Sequence, residues 1–390
     1  MKKLNLWMCL AALAGALAGA LAAAPVRAEF EPEPVGVIES LDSYPPHWIM
    51  VRDFSFFHML EGKVQVVDPL GETLGEQFKG MITASFIAAY ERSATRNELY
   101  VIEDFFSRGG RGGERTGVVA IYDPATLAVI GEVVIPPKRI TGMPKLTATN
   151  FIGGERFLGV YNFTPAQSVS IVDLESREFV AEVSTPGCGF VIPNGKRSFT
   201  SICSNGAFLT SHLNADGTLK DTAKTDVLFD PQNDPIFETP AMLDGVAYFP
   251  TFSGQIMPLD VSGETVAAGD PWPLATNDEE ATWRPGGMNL IMVDSAGLGY
   301  VLMHPEGGEG THKNGGSEVW VYDFAAGERK GRIELKNWGL SLGNSGRDEQ
   351  RFMFVTNTEM AIDMYSLPDG EYLKTLNTGA ATPFIVEGAQ

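Results

Sequence analysis

One pattern recurs along the chain and constrains its fold more than any other feature. An alternating apolar strand ends in aspartate, a few turn residues follow, and a second alternating strand resumes. The pattern stands as VQVVD ending at Asp68, VAIYD at Asp123, VSIVD at Asp173, IMPLD at Asp260 and VWVYD at Asp323. Two weaker copies fill the gaps: AFLTSHLNADGTLK from Ala207, and AIDMYSLPDGEYLKTL from Ala361 with Ser366 where the aspartate would stand. Period-2 alternation on both sides of a short polar turn is the signature of an antiparallel hairpin. An aspartate at the turn can accept hydrogen bonds from its own downstream amides and hold the corner. Strands upstream of the hairpins, such as NELYVIED (97–104) and ERFLGVYNF (155–163), supply the rest of a four-stranded unit.

Seven copies over the 362 residues that follow position 28 give about 52 residues per unit, close to the repeats of β-propellers. Helical periodicity is scarce, and the 43 glycines and 24 prolines suit turns. The expectation is an all-β fold, a seven-bladed β-propeller forming a single domain over 29–390. Two stacked β-sandwiches would leave the recurrence accidental. The glycine-rich GGRGGERTG near residue 110 reads as a loop inside a blade.

Residues 1–28 are set aside from the fold. Lys2 and Lys3 precede an uncharged Leu/Ala/Gly stretch from Leu4 to Ala24, and Val26-Arg27-Ala28 ends in a small residue, the pattern of a secretory signal peptide. No other segment approaches the length of a membrane span. Without residues 1–28 the chain carries 26 basic and 49 acidic side chains, a balance of −23 that disfavours nucleic acid and suits a basic protein surface. Cys9 leaves with the signal, so Cys188 and Cys203 remain, and in an exported protein such a pair reads as a disulfide. Zinc or redox chemistry would call for a tighter CxxC or nearby histidines.

Two loops attract chemical attention. HPEGGEGTHKNGG, His304 to Gly316, carries His304, Glu306, Glu309 and His312, yet its spacing matches no zinc or calcium template. It reads as a connection between strands, structural or at an interface. FFSRGGRGGERTG, Phe105 to Gly117, sets two aromatics beside Arg108, Arg111 and Arg115 and suits either an apolar channel or a core phenylalanine with solvated arginines. His47, His58 and His212 are dispersed and read as packed or hydrogen-bonded blade residues. There is no GxSxG elbow and no GxGxxG between strand and helix, so no catalytic or metal residue is assigned on this chain.

Several stretches taken together resemble the large subunit of the tryptophan tryptophylquinone amine dehydrogenases. They are FFSRGGRGGERTGVVAIYDPATL (105–127), PPKRITG (136–142), TPAQSVSIVDLE (164–175), PGCGFVIP and SFTSICSNG (186–206), NDPIFETPA (233–241), WRPGGMNL (283–290) and HPEGGEGTHKNGGSEVWVYD (304–323). PPKR, DPIF and HPxGxEGTHK bring it nearer the aromatic amine enzymes than the methylamine ones.

The resemblance implies a periplasmic propeller paired with a small, disulfide-rich light subunit in an α2β2 heterotetramer. The quinone cofactor, made from two tryptophans, and the catalytic base would belong to the light subunit. The reaction implied is oxidative deamination of a primary amine to aldehyde and ammonia, with electrons passing to a blue copper protein or a cytochrome c. By position, Phe106 corresponds to the family's phenylalanine at the channel mouth, with Phe105 as the alternative one residue away. Cys188 and Cys203 correspond to the family's single heavy-chain disulfide. Two other classes stay open: a stand-alone metal-dependent hydrolase with ligands converging in the central channel, and a binding module without a catalytic partner.

Overall fold

Every aspartate-terminated strand named above is the third strand of a sheet, and the strand after its turn is that sheet's next one, the outer one in every case but that of Asp323. The turns form as the residue type dictates. Asp123 accepts from the Ala125 and Thr126 amides and from the Thr126 hydroxyl, and Asp173 accepts from the Glu175 and Ser176 amides. Asp68, Asp260 and Asp323 accept from Leu70, Ser262 and Ala326 in the same way. These observations come from a computed structural model that describes residues 40–390 apart from 42, 58–60, 111, 143, 278 and 279. The signal-peptide reading of 1–28, along with His58 and Arg111, falls outside the described residues.

The fold is an all-β propeller, but the expected seven blades are corrected to five separate ones. The first combines the C-terminal strand Ile385–Gly388 with Ile49–Asp53, Glu61–Val67 and Phe78–Ser85. The next three run through Ala89–Ser93 to Val129–Ile135, Thr149–Ile152 to Glu178–Ser184, and Cys188–Asn194 to Leu219–Lys224. The fifth, Ala241–Leu243 to Ala267–Ala268, adds the short strand Trp272–Pro273. The remaining strands form one continuous sheet of eight. The cause is the 20-residue strand Glu328–Arg347, which pairs with Gly316–Asp323 through its first half and with Gln350–Asn357 through its second. No turn interrupts it, despite its glycines and asparagines, so the VWVYD and AIDMYS hairpins share a single sheet.

Pairing of Ile385–Gly388 with Ile49–Asp53 joins the two ends of the described chain in one sheet. Apolar side chains fill the spaces between neighbouring sheets. Leu99, Val101, Ala120 and Tyr122 meet Val64, Val66 and Ile82, while Tyr100, Ile102, Val119 and Ile121 meet Leu158, Val160 and Val172. Alternation along Glu98–Phe106 thus gives each of its faces a different neighbour, and full burial of each such side chain contributes about 1.5–3 kcal/mol. Because successive strands are antiparallel, second-to-third-strand connections gather on one rim. Loops 107–114 and 305–315 both belong to it.

Cys188 and Cys203 are disulfide-bonded, as the sequence suggested, and the bond spans the directly opposed register pair of two adjacent strands.

Candidate functional site

Strands Glu98–Phe106 and Arg115–Tyr122 extend past the sheet's apolar core and carry loop 107–114 at their tip. Beside this tip, between the first two blades, lies a cavity of about 620 Å³. Phe105 and Phe106 both line it, together with Phe86, Glu103, Tyr122 and Arg139. Phe105 is 49% exposed, and Phe106 is half-buried. Of the three neighbouring arginines, Arg108 is exposed and Arg115 turns inward.

The inward turn has an electrostatic cause. Asp104 is buried, and Arg115 grips its carboxylate through two hydrogen bonds of 2.8 and 3.0 Å from Nε and Nη2. Arg139, from the connection to the third blade, forms a second ion pair with the same carboxylate. The rest of the Arg139 guanidinium donates to the Ile87, Phe86 and Ile140 carbonyls and to the Ser85 hydroxyl. Shared, hydrogen-bonded burial is what makes two cations and an anion tolerable here. The cluster ties the Phe105–Phe106 hairpin to the preceding and following connections at once.

Glu103 faces the other way. Its Oε2 accepts from the Ser85 amide at 2.8 Å, and the side chain lines the cavity. Burial pushes its carboxyl above the usual value, against the Ser85 N–H and the Arg139 charge, which pull it down. Sequence reading missed Glu103, Asp104 and Arg139. The available signal was a Glu-Asp pair closing an otherwise apolar strand, and the arginine of PPKR.

In loop 304–316 the two histidines are engaged in packing and hydrogen bonding within the chain. His304 is buried, and its Nε2 lies 2.9 Å from the Thr311 hydroxyl. His312 stacks on Phe252 with ring centroids 4.6 Å apart. Burial lowers the pKa of both rings. Glu306 and Glu309 point to solvent. A side chain at Gly316 would meet the Met303 backbone, and Gly315 has a positive φ of 73°; the glycines serve close packing within this chain. His47 contacts Asp68 and His212 bonds Ser198, both within blades. Among the described residues, no three His, Cys, Asp or Glu side chains gather as a metal site requires, and no helix is long and apolar enough to cross a membrane.

The chain is similar to the methylamine dehydrogenase heavy chain of Methylorubrum extorquens, 25% identical over 351 residues that cover 88% of this chain and 80% of that one. Similarity to the Methylophilus methylotrophus heavy chain is 24% over 342 residues, covering 87% and 82%. Among solved structures, a putative 6-phosphogluconolactonase from Bacteroides fragilis matches with a TM-score of 0.59 at 9% identity, over 92% of this chain and 100% of that one. At that identity the likeness speaks for the propeller fold alone. The family model of the methylamine dehydrogenase heavy chain matches residues 47–389, nearly the whole described chain and with it the cavity and both loops, and the protein therefore belongs to the methylamine dehydrogenase heavy chain family.

Proposed function

We propose that this chain is the large subunit of a periplasmic quinoprotein amine dehydrogenase that oxidatively deaminates a primary amine to an aldehyde and ammonia, taking an aromatic amine in preference to methylamine. The observation that carries the reading is the cavity at Phe105–Phe106, inside a chain whose family match is continuous. Family membership supplies the amine dehydrogenase context. The size of the cavity argues for the substrate. At about 620 Å³ it lies in the range of pockets that enclose drug-sized ligands, far more than one carbon and one nitrogen fill.

In this reading a light subunit, carrying tryptophan tryptophylquinone as the electron sink, docks on the rim that holds loop 107–114, and two copies of each chain form an α2β2 assembly. Phe106 and Phe105 line the substrate's way in, and the Asp104–Arg115–Arg139 cluster keeps them in place. Their apolar surface excludes water and holds the amine's tail, so that its nitrogen is presented to the partner. Residues 1–28 direct export. The balance of −23 draws in a basic patch on a blue copper protein or cytochrome c acceptor and speeds encounter at low salt.

The test is to isolate the protein from its native periplasm. A stoichiometric small subunit with visible quinone absorption and amine-dependent dye reduction is expected. A colourless, folded chain on its own would favour a stand-alone hydrolase or binding module instead.

A further inference from the structure

Third-to-fourth-strand turns gather on the rim opposite loop 107–114, and on that side another cavity, of about 350 Å³, opens between the fifth blade and the eight-stranded sheet. Its apolar wall is aromatic. Trp272 and Tyr248 line it together with Phe324, whose ring centroid lies 6.0 Å from the Trp272 ring and 5.0 Å from that of Tyr248. Phe324 is buried and Trp272 only half so, which makes the indole the ring offered to the cavity. Gly327 leaves that indole accessible, since even a Cβ there would stand 3.2 Å from it.

The polar side of the cavity is acidic and has no counter-ion. Asp260 and Asp270 line it, and among the described residues no lysine or arginine does. Asp260 accepts from the Ser262 hydroxyl and amide through Oδ1, bonds that hold its carboxyl below the usual value, and Asp270 has no partner among the described residues. Lys330 is engaged beside the cavity, donating to Glu328 at 2.9 Å and standing 3.9 Å from Asp323. Tyr248 is an independent sign of a ligand. The residue is 6% exposed, yet its hydroxyl has no hydrogen-bond partner among the described residues, whereas that of Tyr322 donates to the Leu274 carbonyl. Nor is that hydroxyl sealed in the core; it faces the cavity that the side chain lines. Burial raises its pKa, and the charges of Asp244 and Asp323 raise it further, so two more carboxylates act on the same hydroxyl.

We infer that this cavity is a binding site for an organic cation, an ammonium or guanidinium head on an apolar stem, held by the Trp272 ring, the Tyr248 hydroxyl and the Asp260 and Asp270 carboxylates. The indole attracts the positive charge and covers the stem. The carboxylates and the phenol oxygen accept the N–H groups, and the charged acceptors form the stronger bonds. An anion would be repelled by the same carboxylates. The site lies on the rim away from the proposed light-subunit face, and the inference does not depend on the reading of this chain as a dehydrogenase subunit. Such head groups occur on free small molecules and on the basic side chains of other proteins, and the test separates the two sources.

The experiment is a calorimetric titration of the full protein as purified, with any partner subunit left in place. Benzylguanidinium serves as the free small cation, acetyl-arginine methylamide as the protein side chain, and neutral benzylurea as the uncharged control. At least one cation should bind at low salt and more weakly at high salt, and benzylurea should not bind. Tyr248→Phe removes only a hydroxyl and Asp270→Asn changes an exposed side chain; each should weaken binding about threefold or more with Tm unchanged. Tighter binding of benzylguanidinium assigns the site to a free small molecule, tighter binding of the arginine derivative to another protein's side chain, and either supports it. Failure of both cations to bind the wild-type protein overturns the inference whether or not any variant folds. Equal binding of benzylurea overturns it too, as does unchanged affinity in both folded variants. Binding at the Phe105–Phe106 cavity would give that last result, since neither Tyr248 nor Asp270 lines it.

Discussion

Replacing Arg139 with methionine removes the centre of the cluster behind Phe105–Phe106 and keeps much of the apolar stem. The variant loses the ion pair to Asp104 and the donors to the Ile87 carbonyl at 2.7 Å and to the Phe86 and Ile140 carbonyls at 3.3 Å. Removing one partner of a buried pair costs about 3–5 kcal/mol when the other is stranded. Asp104 is only partly stranded, because Arg115 still grips it through two bonds. The carbonyls left without donors add to the cost, and about 4 kcal/mol is expected in all. With an unfolding entropy of about 2.1 cal/mol/K per residue over roughly 350 residues, that corresponds to a Tm lower by about 5 °C. Calorimetry on the wild-type, Arg139→Met, Asp104→Asn and doubly substituted proteins measures both the loss and the coupling. The double variant should be clearly more stable than the two single losses sum to, since each single change leaves a charge the other would have removed. Strict additivity, or an Arg139→Met protein within about 1 °C of wild type, would refute the account of the cluster.

Further expectations concern other buried charges and the disulfide. Glu280 accepts from Arg329 at 2.7 Å and Arg332 at 3.1 Å, and chiefly the Arg329 bond holds its carboxyl below the usual value. Its stabilisation is present above the unfolded carboxyl pKa and is lost as pH falls through the lower folded one. Glu280→Gln should therefore cost about 1–3 kcal/mol at neutral pH and progressively less in acid, as read by denaturant midpoints against pH. Glu91 behaves oppositely. Burial raises its pKa from 4.5 to about 8, although Arg52 and the Thr149 hydroxyl favour the anion. The folded protein holds a proton that the unfolded chain has released, so stability declines with rising pH between about 4.5 and 8. Glu91→Gln should match wild type near the lower limit and exceed it above the upper one, and a pH-independent difference in Tm would contradict this. Replacing Cys188 and Cys203 together by serine reopens a loop with a sequence separation of 15, at an expected cost of roughly 3 kcal/mol measured by urea unfolding.

What the sequence made legible follows from the range of the forces involved. Alternation and turn chemistry act over a few residues, so the aspartate-closed hairpins, their third-strand position and the all-β class could be read from local text. The blade count depended on what happens between hairpins. Counting hairpins cannot reveal that Glu328–Arg347 continues without a turn and welds two of them into one sheet. The same limit applies to the cavity. Phe105 and Phe106 stood out as adjacent aromatics. Arg139 stood only within the PPKR segment with no role of its own, because it meets Asp104, Ser85 and Ile87 only after the chain has folded back on itself.

Strand periodicity also explains why four consecutive residues divide into two tasks. Along Glu103-Asp104-Phe105-Phe106, side chains alternate between the faces of the sheet. Asp104 is on the face that Arg115 and Arg139 neutralise, and it fixes the strand against its neighbours. Glu103 and Phe105 share the opposite face, where Glu103 accepts from the Ser85 amide, and side chains of both faces line the cavity. A one-residue slip of this strand would put Glu103 where Asp104 stands between the two arginines and break the anchor. The register that holds Asp104 opposite Gly117 and Phe106 opposite Arg115 is thus a condition of the site as much as of the sheet. Gly117 is one point where that condition is close. A Cβ there would stand 3.2 Å from the Ile135 and Pro136 carbonyl oxygens, so Gly117→Val should disturb the strand pairing and lower the Tm together with the rigidity of the anchor, as calorimetry would show.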